Sequence, residues 1–227
     1  MAEYNTFERI VSSIINQVKP FLTDDVILSE EWYMDMVDQS RAAMINSLYV
    51  SGSDFNHYYQ EMRVESEELF EVDDIPLKFA VQEIICPQIL NTAGKKNIQY
   101  LGNVIYGTDM IKHVSFQEFM TYEKNRFGGH LPIYTTLNER ILMRNTNNQK
   151  EWLIRALFAS PMTVDGFSYT ESFYPIDPSN LRQLEIIVFQ HIASKLGMPV
   201  DMINNGIDES KQQRVGGQQQ RQEEEAQ

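Results

Sequence analysis

The stretch ERILMRNTNNQKEWLIRALFASPMTV, residues 139–164, decides much of the fold together with the segments that follow it. Two runs rich in β-branched and aromatic residues flank the polar NTNNQ, which predicts two strands joined as a hairpin. The aromatic segment GFSYTESFYPIDP (166–178) leads into LRQLEIIVFQHIASKLG (181–197), predicted to be a helix that begins near Pro178 and ends at Gly197. The stretch combines strong structural patterns with few residues of catalytic type, which favours a building block over a catalyst.

Two further helices are indicated in the N-terminal part. Residues 7–18 carry large apolar side chains at intervals of three and four, and Pro20 ends this pattern. Ser29 is a suitable N-cap for the second helix, whose first turn holds Glu30 and Glu31. Its predicted packing stripe consists of Trp32, Met36, Ala43, Met44 and Leu48, with Gly52 beyond its end.

The next segments predict a short helix and then a loop. HYYQEMRVE (57–65), after Asp54, is taken as the helix, and the acidic run ESEELFEVDD (65–74) as a solvated loop. Strand patterns follow in FAVQEIIC (79–86) and IQYLGNVIY (98–106), which are separated by the turn-like NTAGKKN.

A helix inserted among the strands is predicted for VSFQEFMTYEKN, residues 114–125. Ser115 and Glu118 form a capping box, and Val114 can pack against Phe119 one turn later. The Gly128-Gly129 pair is expected to end this helix.

The order of elements predicts an α+β fold in which the N-terminal and C-terminal helices pack together. The predicted parts are an N-terminal helical part at 1–70 and a strand-rich part with the inserted helix at 71–165. A C-terminal helix that returns to the helical part follows at 166–207. Residues 208–227 form a polar tail without apolar anchors, expected to be disordered in isolation.

Composition narrows the function classes. The 227 residues carry a net charge of -13, which disfavours nonspecific attraction to nucleic acid phosphates. The single cysteine, Cys86, allows no intrachain disulfide, and its apolar flanks predict a buried strand residue, with a nucleophile as the alternative. No signal peptide or membrane-spanning run is evident, so we expect a soluble protein made in a reducing cytoplasm.

Motifs with catalytic potential are weak. Gly94-Lys95-Lys96 lacks the spacing of a phosphate-binding loop, and the four histidines, His57, His113, His130 and His191, have no metal-ligand spacing. Ser160 and Ser168 lack the glycine frame of a nucleophile elbow. Acidic pairs occur at Asp24-Asp25, Asp73-Asp74 and Glu67-Glu68, where solvated loops are the expected setting. We therefore predict no catalytic residues, no metal site and no cofactor.

The aromatic segment is the strongest candidate for function. It folds over its own core in one interpretation and forms a contact surface in the other, since Tyr and Phe with little charge are enriched in interface cores. The candidate interface residues are Phe167, Tyr169, Phe173, Tyr174, Ile187 and Ile192.

These same segments resemble the C-terminal half of virion structural proteins of short-tailed crAss-like phages. Matching positions are Phe158, Pro161, Pro175, Ile176, Pro199, Asp201, Asn204, Asn205 and Gly206. The N-terminal half is similar in its helices before YYQEMRV and in the strand FAVQEIICPQIL, so the likeness covers about residues 5–208.

The resemblance implies a head–tail connector, also called an adaptor or ring protein. Such a protein assembles with itself as a ring, commonly of twelve copies, below the portal protein and beside neighbouring tail or ring proteins. DNA passes through the ring during genome ejection without specific binding, and no catalytic residues are implied. Two alternatives stay open: a metal-dependent nuclease using Asp73, Asp74 and Lys78, and an assembly factor absent from the mature virion.

Overall fold

The computed structural model describes residues 5–22, 28–51, 56–72, 75–92, 95–104, 111–122, 130–137, 139–147 and 149–197. Within them the fold is α+β, with helices toward both ends of the chain and a strand-rich middle that carries one inserted helix. This confirms the predicted fold class. Several predictions concern residues outside the described ranges: Asp24-Asp25, Gly52, Asp54, Asp73-Asp74, Gly94, Gly128-Gly129 and all positions beyond Gly197.

The first two helices begin where the sequence predicts. Helix α1 spans Phe7–Val18 and gives way at Pro20 to a 3-10 turn, Lys19–Phe21. Helix α2 spans Glu30–Ser51, and the Ser29 Oγ accepts a 3.2 Å hydrogen bond from the Trp32 N–H as its N-cap. Its buried face differs from the predicted stripe, because Ala43 is exposed and Trp32 and Leu48 are half-buried. The buried residues are Tyr33, Met36, Val37, Ser40, Arg41, Met44 and Ile45.

Helix α4 spans Leu181–Lys195 and completes a helical core. Asp177 caps the preceding 3-10 turn, Pro178–Asn180, by accepting from the Ser179 N–H. Gly197 ends the helical segment with a φ of +64°, a conformation that glycine adopts without steric cost. The first, second and fourth helices share one apolar cluster that includes Phe7, Ile14, Met36, Ile45, Leu184, Val188 and Ile192. The predicted packing of the terminal helices is confirmed.

Within the described residues the strands form three sheets. The five-stranded sheet has the order β2-β3-β9-β8-β7, with β2 at Glu67–Val72, β3 at Ile75–Ile85, β9 at Arg140–Arg144, β8 at Ile133–Leu137 and β7 at Lys112–His113. The three-stranded sheet has the order β1-β10-β6, from Gln60–Glu65, Glu151–Ala156 and Ile98–Asn103. The short strands β4, Asn91–Thr92, and β5, Lys95–Lys96, pair with each other around the predicted NTAGKKN turn.

Residues 60–72 are strands, so the predictions of a short helix and an acidic loop there are wrong. In β1 the side chains of Met62 and Val64 turn toward the core, while Glu61, Arg63 and Glu65 face outward. Strand β2 pairs antiparallel with β3, with Leu69 opposite Val81. An edge strand can carry charged residues on its solvent-exposed face, so the polar composition of this segment does not require a loop.

The NTNNQ segment does not close a hairpin, which corrects that prediction. Strand β9 belongs to the five-stranded sheet and β10 to the three-stranded sheet, and the actual hairpin partner of β9 is β8. Asn145 and Asn147 have φ values of 59° and 52°, a left-handed conformation that asparagine tolerates. The connection therefore turns a corner between two sheets.

Strand 60–72 crosses between the same two sheets at Ser66. The Ser66 N–H donates to the Lys150 carbonyl at 2.8 Å, and the Trp152 Nε1 donates to the Ser66 Oγ at 3.0 Å. Trp152 is among the largest fully buried side chains, so this corner is part of the core.

The inserted helix α3, Phe116–Thr121, covers one face of the five-stranded sheet. Ser115 caps it by accepting from the Glu118 N–H at 3.2 Å, as predicted. Val114 and Phe119 share a buried cluster with Val81, Ile133 and Leu142. The opposite face of the sheet meets a second cluster, which contains Ile84, Ile141, Met143, Trp152 and Cys86. Cys86 is buried, as predicted, but it lies directly after β3 and not within the strand.

Candidate interaction surface

The aromatic segment is an ordered loop that the N-terminal segment holds in place. The Tyr174 N–H donates to the Asn5 carbonyl at 3.0 Å, and Thr6 and Phe173 form an isolated β-bridge. The Glu8 N–H donates to the Tyr169 carbonyl at 3.1 Å, and the Tyr169 hydroxyl donates to the Glu30 carboxylate. Gly166, with a φ of +82°, provides the turn at the start of the loop.

A buried arginine under this loop ties it to the rest of the fold. The Arg41 guanidinium donates through Nε to the Pro175 carbonyl at 2.9 Å and through Nη1 to the Phe158 carbonyl at 2.9 Å. Its Nη2 donates to the Tyr58 carbonyl at 3.0 Å. One rigid planar group thus satisfies main-chain acceptors in three separate segments, a geometry that lysine cannot reproduce.

The charge of Arg41 is balanced nearby by Asp38, one turn earlier on α2. The Tyr174 hydroxyl donates to Asp38 Oδ1 at 2.7 Å. Burial raises the pKa of Asp38 above its ordinary value, and hydrogen bonds from Ser160 and Tyr174 with the charge of Arg41 oppose this shift. Burial also raises the pKa of Tyr174 well above that of a free tyrosine. The network is a solvent-shielded junction between α2 and the loop.

The outer side of this junction forms an apolar groove of about 490 Å³. Its apolar walls are Tyr59, Phe173, Tyr174, Pro175, Ile176 and Pro178, and its polar lining consists of Asn5, His57 and Gln60. Phe173 is 61% exposed even though its backbone pairs with Thr6. Phe173 is therefore a largely exposed aromatic side chain in the wall of the groove. Its backbone is held in place by the β-bridge to Thr6.

The six predicted interface residues separate into three groups. Tyr174 and Ile192 are buried in the helical core, where Tyr174 hydrogen-bonds Asp38 and Ile192 packs between helices. Phe167, Tyr169 and Ile187 are half-buried and pack against the same cluster. Phe173 alone of the six is mostly exposed. The aromatic segment therefore covers its own core and leaves one aromatic side chain on the surface, and its role as a contact surface stays a prediction.

The residues considered for catalysis do not converge within the described chain. His57 lines the groove, His113 packs against the Tyr134 ring, His130 is exposed, and His191 hydrogen-bonds the Ser40 hydroxyl at 2.9 Å. The described residues contain no group of three or more His, Cys, Asp or Glu placed to hold a metal ion. Lys78 lies on β3, and its proposed partners Asp73 and Asp74 lie outside the described ranges. Glu67 and Glu68 lie on an edge strand and not in the predicted loop.

Arg41 and Asp38 were missed by sequence reasoning. A signal for Arg41 was available, because it falls between Val37 and Ile45 at helical spacing on the buried face of α2. A charged residue within an apolar stripe is uncommon unless it is paired, so it indicates a buried polar network. The acceptors could not have been found this way, since they are main-chain carbonyls 17, 117 and 134 residues away.

No helix in the described part of the chain combines the length and the apolar composition needed to cross a membrane. No protein-family model matches the sequence, and no curated protein matches it significantly.

Proposed function

We propose that this chain is a structural subunit of a phage head–tail connector, assembling with copies of itself into a ring below the portal protein. The observation that carries the proposal is Phe173, exposed beside an apolar groove on a loop anchored by Arg41. Interface anchors are typically large aromatic side chains beside pockets, held on rigid backbone so that little entropy is lost on association.

The groove and the resemblance concern the same segment of the chain. Phe158, Pro175 and Ile176, which carry part of the resemblance, lie at this junction: two of them provide carbonyls to Arg41, and Pro175 and Ile176 line the groove. The resemblance thus falls on residues that build and orient the candidate surface.

The charge of the chain is compatible with a channel through which DNA passes. With a net charge of -13, the protein repels phosphate and gives little nonspecific affinity for DNA. A ring that surrounds an exiting genome has to release it, and a negative surface favours release. The negative charge supports a passive structural role.

The decisive experiment is the composition and structure of purified particles of the virus that encodes the chain. Quantitative mass spectrometry should find the protein in several copies per particle, and electron cryomicroscopy should place it as a ring at the head–tail junction. Absence of the chain from mature particles would overturn the proposal and would agree with an assembly factor. A location elsewhere in the particle would overturn the connector assignment.

A further inference from the structure

Segment 60–72 contributes an edge strand to each of two sheets. Strand β1 is an edge of the three-stranded sheet and pairs with β10, while β2 is an edge of the five-stranded sheet and pairs with β3. Within the described ranges nothing pairs with the other side of either strand. An edge of this kind presents a row of N–H and C=O groups that can accept an additional strand.

This edge is strongly acidic. Its five glutamates are all exposed, and Arg63 is the only cation within the segment. Arg155 on the neighbouring strand β10 pairs with one of them, Glu61, at 3.6 Å. The exposed glutamates are Glu61, Glu65, Glu67, Glu68 and Glu71. Such a charge pattern repels a second copy of the same edge and favours a basic strand.

A groove of about 800 Å³ lies where the chain passes between the sheets at Ser66, between this corner, strand β3 and residues 144–150, and offers acceptors to a basic side chain. Glu65, Glu67 and Glu68 line it. Gln82 lines it as well, and its buried Oε1 accepts no hydrogen bond from the described residues. The two cations in the lining are Lys150 and Arg144, and Arg144 is directed away, donating to the Phe119 carbonyl at 2.7 Å and stacking on Phe79.

The chain itself contains a basic segment that fits this edge. Residues 210–222, SKQQRVGGQQQRQ, include Lys211, Arg214 and Arg221 and no acidic residue, and they lie outside the described ranges. Acidic residues bound the segment at Glu209 and at 223–225. The edge and the basic segment are each thirteen residues long, counted from 60 to 72 and from 210 to 222.

The centres of the two segments also correspond. Ser66, the seventh residue of the edge, is the point at which the strand passes from one sheet to the other. The seventh residue of the basic segment is Gly216, followed by Gly217. Glycine is the residue that most readily follows a bend or a close backbone approach. An end-to-end alignment of the two segments, in either strand direction, puts Gly216 opposite Ser66.

We propose that residues 210–222 add as a strand to the 60–72 edge of the same chain. The intervening residues 198–209 can span about 40 Å when extended, which is close to the diameter of a compact domain of this size. Tethering in one chain raises the effective concentration of the segment to about the millimolar range, which favours the intramolecular site. This inference does not depend on the proposed connector function, because it requires neither a ring nor a portal.

Hydrogen exchange tests the proposal directly. The full chain is compared with a chain truncated after Asp208, which loses none of the described residues. Truncation should make the amides of the peptide covering 60–72 exchange about tenfold faster, because N–H groups on the unpaired side of the strands lose their hydrogen-bond partners and become accessible to water. Raising the salt concentration in the full chain should move exchange in the same direction, because the attraction is between exposed charges.

Matched variants separate charge recognition from a general effect of the tail. A triple variant with Gln at Lys211, Arg214 and Arg221 should reproduce the faster exchange seen on truncation. A triple variant with Gln at Glu65, Glu67 and Glu68 should have the same effect. Replacing Glu223, Glu224 and Glu225 with Gln, or Glu171 with Gln, should leave exchange at 60–72 unchanged. Circular dichroism confirms that each variant is folded.

Two results would overturn the proposal. Exchange at 60–72 that is the same in the full and truncated chains would show that the tail does not cover the edge. Protection that appears only as protein concentration rises would show that the tail of another copy covers it. Either result leaves the particle experiment for the connector function unaffected.

Discussion

The Nε of Arg41 and the carbonyl oxygen of Pro175 are joined by a 2.9 Å hydrogen bond between the middle of α2 and the loop that lines the apolar groove. Because the same guanidinium also serves Phe158 and Tyr58, Arg41 is the point at which the helical core, the end of the strand-rich region and the aromatic loop meet. Loss of this one side chain would therefore remove the hydrogen bonds that join these three parts of the fold to α2.

Replacing Arg41 with Ala should destabilise the protein by about 3–5 kcal/mol, because three buried carbonyls lose their donor and Asp38 loses its balancing charge. Arg41→Lys should recover only part of this loss, since an ammonium group lacks the planar fork. Urea unfolding measures both effects. Arg182→Ala is the matched control: the Arg182 side chain is 62% exposed in its ion pair with Glu185, so the change should stay within about 0.5 kcal/mol. Equal effects at the two positions would contradict a special role for Arg41.

Asp38 should make stability depend on pH in a defined direction. Burial raises its pKa, so at pH values between about 3.8 and its folded pKa the folded chain holds a proton that the unfolded chain releases. The contribution of Asp38 to the free energy of unfolding therefore falls as pH rises through that window, by no more than about 1.4 kcal/mol per pH unit.

The measurement is the difference in free energy of unfolding between the native chain and Asp38→Asn at a series of pH values. The amide side chain of this variant does not titrate, so the native chain should lose its relative stability as pH rises. A difference of the opposite sign would mean that the hydrogen bonds from Tyr174 and Ser160 outweigh burial.

Under the proposed connector function, Phe173→Ser should reduce assembly without unfolding the chain. Phe173 is 61% exposed, so its loss removes little core packing, whereas an interface anchor of this size can contribute enough for an effect of about tenfold or more on association. Incorporation of the variant into particles, measured by mass spectrometry, is the readout. Met162→Ser, which alters another exposed apolar residue away from the groove, should be incorporated normally. Normal incorporation of Phe173→Ser would remove the groove from the interface.

The corner between the sheets can be tested with Trp152 and Ser66. A double-mutant cycle of Trp152→Phe and Ser66→Ala should give a coupling energy of about 1 kcal/mol, because each change removes the same 3.0 Å hydrogen bond. Purely additive losses would indicate that the bond contributes nothing beyond the packing of the two side chains.

Helix α4 provides a contrast between core and surface. Ile192→Ala should cost about 2–5 kcal/mol because Ile192 is fully buried among the helices. Ile186→Ala, at a position 36% exposed on the same helix, should cost roughly 0.5 kcal/mol or less. Thermal or urea unfolding compares them, and similar losses would contradict the observed orientation of α4.

The helices were predictable because local information was sufficient. Ser29, Ser115 and Asp177 each accept a main-chain N–H at a helical start, and Gly197 takes the left-handed conformation expected at a helix end. These devices involve residues within a few positions of one another. The sequence signal for each helix end is therefore contained within a few neighbouring residues.

The strands at 60–72 were not predictable in the same way. Met62 and Val64 alternate with charged residues, but Ser66 interrupts the alternation where the strand changes sheets, and β2 then presents Glu67 and Glu68 in succession. These strands pair with β10 and β3, and the local residue pattern does not reveal such distant partners. The apolar groove likewise depends on contacts between residues far apart in the sequence. The sequence therefore predicted its aromatic residues but not the role of Arg41.

The pairing of β1 with β10 has a consequence for how the protein is made. Glu65 lies opposite Glu151, and the helical core likewise needs α4 against α1 and α2. During synthesis the N-terminal helices and the edge strand leave the ribosome long before their partners exist. We therefore expect folding to be completed only after translation has passed α4, and fragments that end before that helix to be captured by chaperones or proteases.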